Sequence, residues 1–320
     1  MTIVLSHISA LEYWLSVRAC HPELQIVFRA KRYITKPASL IGFSLDLPQE
    51  LNYPVHVLIA DDSCRRHSKS IACHVWTGPL PKGCILEIGN GICVCSPEFC
   101  FVQMANTLSL PKLIELGYEF CGTYASRDEK LLQVEPLTTV SKMKSLISRM
   151  RGATGIKKAE RASRYILENS ASPMETRLAM LLCLPYKLGG YGFPRPQMNC
   201  RVDINPSLRG PDSPGYYVCD LLWPEAKLAI EYDSDKYHTG RSRITYDSMK
   251  RGNLNAMDVM VISITNTQIH SNIEMDKLAK TIARKTGKQI RYKEPEFSKA
   301  RFQLREELQI PEFTKWHSNS

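Results

Sequence analysis

Three carboxylates in the second half of the chain have a spacing that suits a divalent cation. Asp220 lies in the apolar run 216–222, Glu231 lies in the next such run, 227–232, and Asp233 follows it. If the two runs pair as a hairpin, alternation places Glu231 and Asp233 on one face with Asp220 opposite. Crowded carboxylates repel one another unless a cation such as Mg²⁺ or Mn²⁺ neutralises them. The pattern predicts a metal site that activates water for attack on phosphorus; the alternative is acidic residues that face solvent at strand ends.

Other polar residues downstream extend this group. His238 follows in a polar segment, where a histidine can simply be an exposed loop residue, although a neutral imidazole is able to accept a proton near pH 7. Asp247 and Arg251 stand four residues apart on a helix predicted over residues 244–257, a spacing that is typical of a surface ion pair.

Strands and helices must hold these residues in place. Ser172, Pro173 and Glu175 form the capping box of a helix that begins the second half of the chain. After it, the pattern predicts strands over residues 199–204, 216–222, 227–232 and 259–264, and helices over 244–257, 271–285 and 297–308. Together with the first half of the chain, this pattern predicts an α+β protein.

The first half carries its own strands and helices. Apolar runs predict strands over residues 53–60, 71–76 and 84–88, and the glycines around Asn90 predict a hairpin after the last of them. Helices are predicted over residues 11–17, 97–108 and 110–116, with Gly117 ending the last, and residues 29–36 suggest a helix or short turn.

The net charge indicates the class of binding partner, and the cysteines indicate the cellular compartment. The 320-residue chain has a formal net charge of +10, which favours a polyanionic partner. Residues 142–164 concentrate this charge in a basic helical stretch that either contacts phosphates or is a solvated helix face.

We expect no membrane span and, because no secretory signal accompanies the eleven cysteines, a reduced cytoplasmic protein. The residues Cys84, Cys93, Cys95 and Cys100 lack paired zinc-ligand spacing, so buried structural thiols are favoured over a zinc site.

Residues 170–288 resemble the very-short-patch-repair endonucleases within the PD-(D/E)XK superfamily. The resemblance rests on Asp220, on the segment IEYDSDKYH, and on the D…R…L…DVMVISIT pattern that follows. It implies a restriction-endonuclease-like mixed sheet flanked by helices. It also implies a metal site formed by Asp220, Glu231 and Asp233, with Glu175 as the helix acid of that fold, a role that its capping-box position explains equally well.

The resemblance also assigns roles to the residues around this site. His238 would be the general base or the residue that positions the attacking water. Asp247 and Arg251 would lie beside the active site, where Arg251 would contact phosphate. Asp233 departs from the superfamily pattern because lysine usually stands there, and Lys236 or Lys227 would have to supply a cation instead. Nucleic-acid contacts would come from Arg251 and Lys236, and from Lys157, Lys158 and Arg161 in the basic stretch.

Residues 56–175 are similar in motif order to AbiEi-type abortive-infection antitoxin proteins. The shared segments are HVLIADDSCRRH, ACHVW, SPEFCFVQMA and SPMET. The two resemblances predict an N-terminal α+β domain (1–140), a basic helical connector (141–169), an endonuclease-like domain (170–288), and a C-terminal helix and tail (289–320).

These domains imply a Mg²⁺- or Mn²⁺-dependent DNA endonuclease of phage defence, mobile-element biology or repair. The alternatives are an antitoxin-like nucleic-acid-binding regulator with an inactive nuclease fold, and a protein that binds a toxin or effector encoded nearby.

Overall fold

A computed structural model describes residues 3–20, 29–31, 51–65, 69–89, 91–127, 130–208, 214–233 and 241–310, with the backbone alone at 29–31 and 241–244. The chain divides into two compact units, Met1–Glu168 (unit 1) and Asn169–Ser320 (unit 2). Both units combine helices with sheets that contain parallel and antiparallel pairs. The predicted α+β class is confirmed.

Unit 1 is built around a six-stranded sheet with the order β2-β5-β6-β1-β3-β4. Its strands are β1 (Ile3–Leu5), β2 (Arg29–Lys31), β3 (Val55–Ile59), β4 (Ile71–Val75), β5 (Ile85–Gly89) and β6 (Ile92–Cys95). A separate hairpin pairs β7 (Tyr124–Arg127) with β8 (Lys130–Gln133), and the helices are α1 (His7–Cys20), α2 (Pro97–Met104), α3 (Leu110–Cys121), α4 (Val140–Arg149) and α5 (Ile156–Ser163).

The hairpin predicted around Asn90 joins β5 and β6, which pair antiparallel. Gly89 and Gly91 flank it with φ values of +115° and +75°, a backbone region that glycine enters without steric cost. Every residue of β6 is buried, which explains why the strand reads as a continuous apolar run instead of an alternating one.

Two local predictions in unit 1 were wrong. Residues 29–31 form strand β2, paired with β5, where the basic sequence suggested a helix or turn. Helix α3 does not end at Gly117 but continues to Cys121. At Gly117 a Cβ atom would lie 2.1 Å from Cδ1 of Ile166, so this glycine permits close packing inside the helix instead of ending it.

The basic stretch forms α4 and α5, which belong to unit 1. Helix α4 buries Met143, Leu146 and Ile147, and α5 buries Ala159 and Ala162. Most of their lysines and arginines are exposed, and Lys158 is half-buried.

Unit 2 contains a four-stranded sheet with the order β12-β11-β10-β9. Its strands are β9 (Gln197–Asp203), β10 (Tyr216–Trp223), β11 (Leu228–Asp233) and β12 (Met260–Thr265), and its helices are α6 (Pro173–Cys183), α7 (Arg241–Ala256), α8 (Asn266–His270), α9 (Asn272–Thr286) and α10 (Glu296–Glu307). Strands β9, β10 and β11 pair antiparallel, whereas β11 and β12 pair parallel and are connected through α7. Tyr217, Cys219 and Ala229 of the sheet form a buried cluster with Leu254 of α7, which fixes this helix on the sheet.

The last helix, α10, is part of unit 2. Phe297 is buried and stacks on Tyr292 with ring centroids 4.1 Å apart, and Nη1 of Arg305 donates to the carbonyl of Ile269 over 2.9 Å. In the part of the chain described here, no helix combines the length and apolar character that crossing a membrane requires.

Candidate active site

The hairpin of β10 and β11 brings Asp220 and Glu231 together. Leu221 pairs with Ile230 in the antiparallel register, and continuing that register by one residue sets Asp220 opposite Glu231. Oδ2 of Asp220 accepts a hydrogen bond from the backbone N–H of Tyr232 over 2.7 Å. The backbone of β11, the strand that carries Glu231, thus fixes the carboxylate of Asp220.

Burial and mutual repulsion disfavour the charged forms of these acids. Burial raises the pKa of Asp220 well above its ordinary value, and the negative charges of Glu231 and Glu175 raise it further. Burial also raises the pKa of Glu231, although Lys250 opposes that change. A bound cation would offset both effects by stabilising the charged forms, so the arrangement of the two acids favours binding of a cation.

Lys250 supplies one cation directly. Its Nζ donates to Oε2 of Glu231 and to the carbonyl of Val218, both over 2.6 Å. The side chains of Lys250 and Glu231 are only 14% and 16% exposed. Burial alone would lower the pKa of Lys250, but the Glu231 carboxylate outweighs this and raises it. Lys250 is thus held charged beside the acidic pair.

Sequence reasoning missed Lys250 and looked for the cation at Lys236 or Lys227. Lys227 pairs with Asp258 over 3.1 Å at an exposed position, and Lys236 lies outside the described residues. A signal for Lys250 existed: it precedes the buried Leu254 by one helical turn and so shares the inward face of α7.

Glu175 lies at the start of α6 with its carboxylate held by three donors. Ser172 Oγ donates to its Oε1 over 2.9 Å, while the N–H of Ala171 and Nδ2 of Asn199 donate to its Oε2 over 2.9 and 2.6 Å. The Glu175 N–H donates to Ser172 Oγ, which confirms the predicted N-cap, although the carboxylate binds the N–H of Ala171 instead of that of Ser172. Glu175 acts on Asp220 through its charge while its own oxygens fix the start of the helix.

The remaining predicted residues of unit 2 are placed as follows. Asp233 is half-buried at the end of β11, on the face of Glu231 by alternation, and pairs in register with Thr265. Nη2 of Arg251 donates to Oγ of Ser263, the residue paired with Glu231 on β12. Asp247 is exposed and, within the described residues, forms no ion pair with Arg251. His238 lies outside the described residues.

The predicted contacts of the basic stretch separate into two kinds. Lys158 is half-buried, and its Nζ donates to the carbonyl of Leu108 over 2.9 Å, so this lysine links α5 to the loop before α3. Lys157 and Arg161 are exposed. All three belong to unit 1.

The donor set at Asp220 and Glu231 fits a hard divalent cation that retains water. Among the described residues, no group of three or more His, Cys, Asp and Glu side chains is arranged to hold a metal ion. Mg²⁺, however, is commonly bound by one or two carboxylates, with water and substrate phosphates completing its shell. Oε1 of Glu231 is buried and has no hydrogen-bond partner of proper geometry in the described part of the chain, and the Cys219 thiol and the Asp220 backbone N–H interact only weakly with this carboxylate. A buried carboxylate oxygen in that state is an available ligand.

The thiols of unit 1 suit a structural role. Cys84, Cys93, Cys95 and Cys100 are all buried, and burial raises the pKa of Cys84 to about 12 and the pKa of Cys95 well above its ordinary value. Zinc binds the thiolate, so thiols held neutral in this way are poor ligands.

Comparison of the chain with protein-family models, curated proteins and solved structures gave no match. The functional argument therefore depends on the geometry and electrostatics of the site.

Proposed function

We propose that unit 2 hydrolyses phosphodiester bonds in DNA as a metal-dependent endonuclease. The observation that carries the proposal is the half-buried Asp220–Glu231 pair, which has one unsatisfied carboxylate oxygen and one lysine bound to it. Two carboxylates can hold a divalent cation that activates water, and a lysine beside them can stabilise the negative charge that develops on a phosphodiester during attack. Unit 2 would then be an endonuclease similar to the very-short-patch-repair endonucleases of the PD-(D/E)XK superfamily, as the sequence motifs suggest. Asp233 would be a further ligand of the metal.

Each side chain has a distinct role in this proposal. Asp220 and Glu231 would hold Mg²⁺ or Mn²⁺, which when bound would polarise a phosphoryl oxygen and increase the acidity of a water molecule. The hydrogen bond from Tyr232 N–H to Asp220 orients that carboxylate before any ligand arrives. Glu175 fixes the start of α6 and adds negative charge at Asp220.

The superfamily pattern has a strand lysine at the position where this chain has Asp233. We assign the role of that lysine to Lys250. The ammonium group has three N–H donors, and two of them are directed at Glu231 and at the carbonyl of Val218. The third can donate to a phosphate oxygen, where it would stabilise the negative charge that develops during attack. Arg251, one residue along α7, offers a second cation that can bind phosphate with its planar fork.

The proposal places the reaction in the cytoplasm, in defence, mobile-element biology or repair. All eleven cysteines of the chain are free thiols, as expected in a reducing compartment.

A cleavage assay with isosteric variants tests the proposal. Supercoiled plasmid is incubated with the full chain and Mg²⁺ or Mn²⁺, and the variants are Asp220→Asn, Glu231→Gln and Lys250→Met. We expect nicking by the wild type, a loss of about a hundredfold or more in each variant, and none in EDTA. Asp258→Asn is the matched control, because Asp258 is an exposed carboxylate of the same unit that pairs only with Lys227 among the described residues.

A measurement that does not depend on turnover accompanies this assay. Titration calorimetry with Mn²⁺ should show binding to the wild type and weaker binding to Asp220→Asn and Glu231→Gln. If the wild type binds DNA but neither binds Mn²⁺ nor cleaves, the nuclease proposal fails and the antitoxin-like regulator replaces it. The replacement of the usual lysine by Asp233 is the observation that favours this second candidate.

A further inference from the structure

A cavity of about 630 Å³ opens between α4 and α5 of unit 1, in a part of the chain that the proposed hydrolysis does not use. Lys144 and Arg151 line it from the side of α4, and Lys157 and Arg164 line it from α5. Glu160 is the one carboxylate among its lining residues. We propose that this cavity binds the phosphodiester backbone of a nucleic acid, independently of the site in unit 2.

The cations at the cavity are free to bind an anion. Lys144, Arg151 and Lys157 are exposed and have no ion-pair partner among the described residues. Arg164 pairs with Glu160 over 2.8 Å, and both of these side chains are more than half exposed. An exposed pair of this kind contributes little energy, so a phosphate can displace Glu160 at small cost. The lining therefore presents unneutralised positive charge.

The spacing of these cations suits an extended polyanion better than a small ion. Lys144 lies in α4 and Arg151 follows the end of that helix, whereas Lys157 lies in the first turn of α5 and Arg164 follows its last residue. The seven residues from Lys157 to Arg164 correspond to about 10.5 Å along the helix axis. That length spans about three phosphates of a backbone, which carries one charge per about 3.4 Å of axis on each strand of a duplex.

The loop between the helices lets a backbone approach closely. Gly152 lines the cavity with φ +88°, and a Cβ atom added there would meet nothing within 4 Å. Of the apolar lining residues, Ile147 is buried and Ile156 is half-buried.

This cavity revises which basic residues should matter. Lys158 donates to the carbonyl of Leu108, and neither Lys158 nor Arg161 lines the cavity. The residues that do are Lys144, Arg151 and Lys157, with Arg164 as a paired fourth.

The test is the salt dependence of DNA binding by the full chain in EDTA, where cleavage cannot occur. A fluorescent 20-base-pair duplex is titrated by anisotropy over a series of salt concentrations. The cavity variant Lys144→Ala/Arg151→Ala/Lys157→Ala is compared with a control, Lys69→Ala/Lys130→Ala/Lys142→Ala, which removes three exposed charges of unit 1 outside the cavity. Thermal unfolding of both variants should match the wild type, because all six side chains are exposed.

We expect the cavity variant to bind at least tenfold more weakly and to lower the slope of log K against log salt by about 2 to 3, near one per lost phosphate contact. The control should bind like the wild type. Equal losses in both variants, or no loss in either, would overturn the proposal. So would displacement of the duplex by inorganic phosphate or polyglutamate at equal total charge, since these mark a small-anion or acidic-peptide site.

The two proposals fail separately. The loss of affinity caused by the cavity variant should be the same in the wild type and in an Asp220→Asn background, and the cavity variant should keep any Mn²⁺ binding that the wild type shows.

Discussion

Replacing Lys250 by methionine should destabilise unit 2 strongly, since it removes the cation bound to Glu231. The substitution keeps an unbranched side chain that is one atom shorter and deletes its charge. Glu231 would then be left beside Asp220 with an uncompensated charge and little water to solvate it, since its side chain is only 16% exposed. Removing one partner of a buried ion pair costs about 3 to 5 kcal/mol.

The lower part of that range applies because Glu231 can take up a proton. Its pKa is already raised by burial, and losing Lys250 raises it further. A carboxyl group with a raised folded-state pKa favours folding below its unfolded pKa and loses that contribution as pH rises through the folded value. We therefore expect a cost of about 3 kcal/mol at pH 7.5 that shrinks as the pH is lowered.

The assay must report on unit 2 alone, because a chain of two units need not unfold in one step. Pulsed hydrogen–deuterium exchange across a urea series gives this, read on peptides that cover β10 and β11. The matched control is Lys277→Met, which breaks a Lys277–Glu274 pair of similar length, 2.7 Å, whose side chains are 66% and 36% exposed. That control should cost less than about 1 kcal/mol.

A double variant separates the charge from the packing. Lys250→Met/Glu231→Gln removes both charges of the ion pair and should be more stable than Lys250→Met alone by about 2 kcal/mol. If Lys250→Met costs no more than Lys277→Met, or if the double variant recovers nothing, the pair is solvated and the electrostatic account of the site is wrong.

Three further predictions follow from the same structure. Asp220→Asn, measured in EDTA, should stabilise unit 2 in urea, because the raised pKa of Asp220 means that its charged form opposes folding while an amide oxygen can still accept from Tyr232; destabilisation would contradict this. Gly117→Ala should destabilise unit 1 by about 1 to 3 kcal/mol through overpacking against Ile166. Gly252 is a helical glycine whose added Cβ would meet nothing within 4 Å, so Gly252→Ala should stabilise unit 2 by up to about 1 kcal/mol. Equal effects of the two substitutions would refute the packing argument. Burial, and to a smaller extent neighbouring basic side chains, lowers the pKa of His74 to about 4 and that of His7 to about 3. The stability of unit 1 should therefore be level above pH 6.5 and fall below it. His74→Gln should reduce the decrease in urea midpoint between pH 7.5 and pH 5, and an unchanged decrease would contradict this.

The hairpin that carries the acidic pair could be predicted from the sequence because it is local. Two apolar runs joined by a short turn define β10 and β11, and alternation along them places Asp220 near Glu231. The start of α6 was predictable for the same reason, since Ser172 and Glu175 are three residues apart and define their own hydrogen bonds.

The features that were missed depend on contacts between residues distant in sequence. Lys250 reaches a carbonyl 32 residues earlier, and only the packing of α7 on the sheet shows which of its cations is directed inward. Gly117 reads as a helix end by its type, and its role becomes visible only when Ile166 packs against it. Strand β2 is basic, and its pairing with β5 overrides its weak local preference.

The placement of Lys250 on α7 has a consequence for the order of folding. The β10–β11 hairpin closes a short loop, whereas Lys250 arrives only when the helix that links β11 to the parallel strand β12 has docked. The two carboxylates therefore meet before their counter-ion does, and the early hairpin carries an electrostatic penalty that docking of α7 relieves. Substitution of Lys250 should accordingly speed unfolding more than it slows folding. The residue that supplies the cation of the site therefore also slows the unfolding of unit 2.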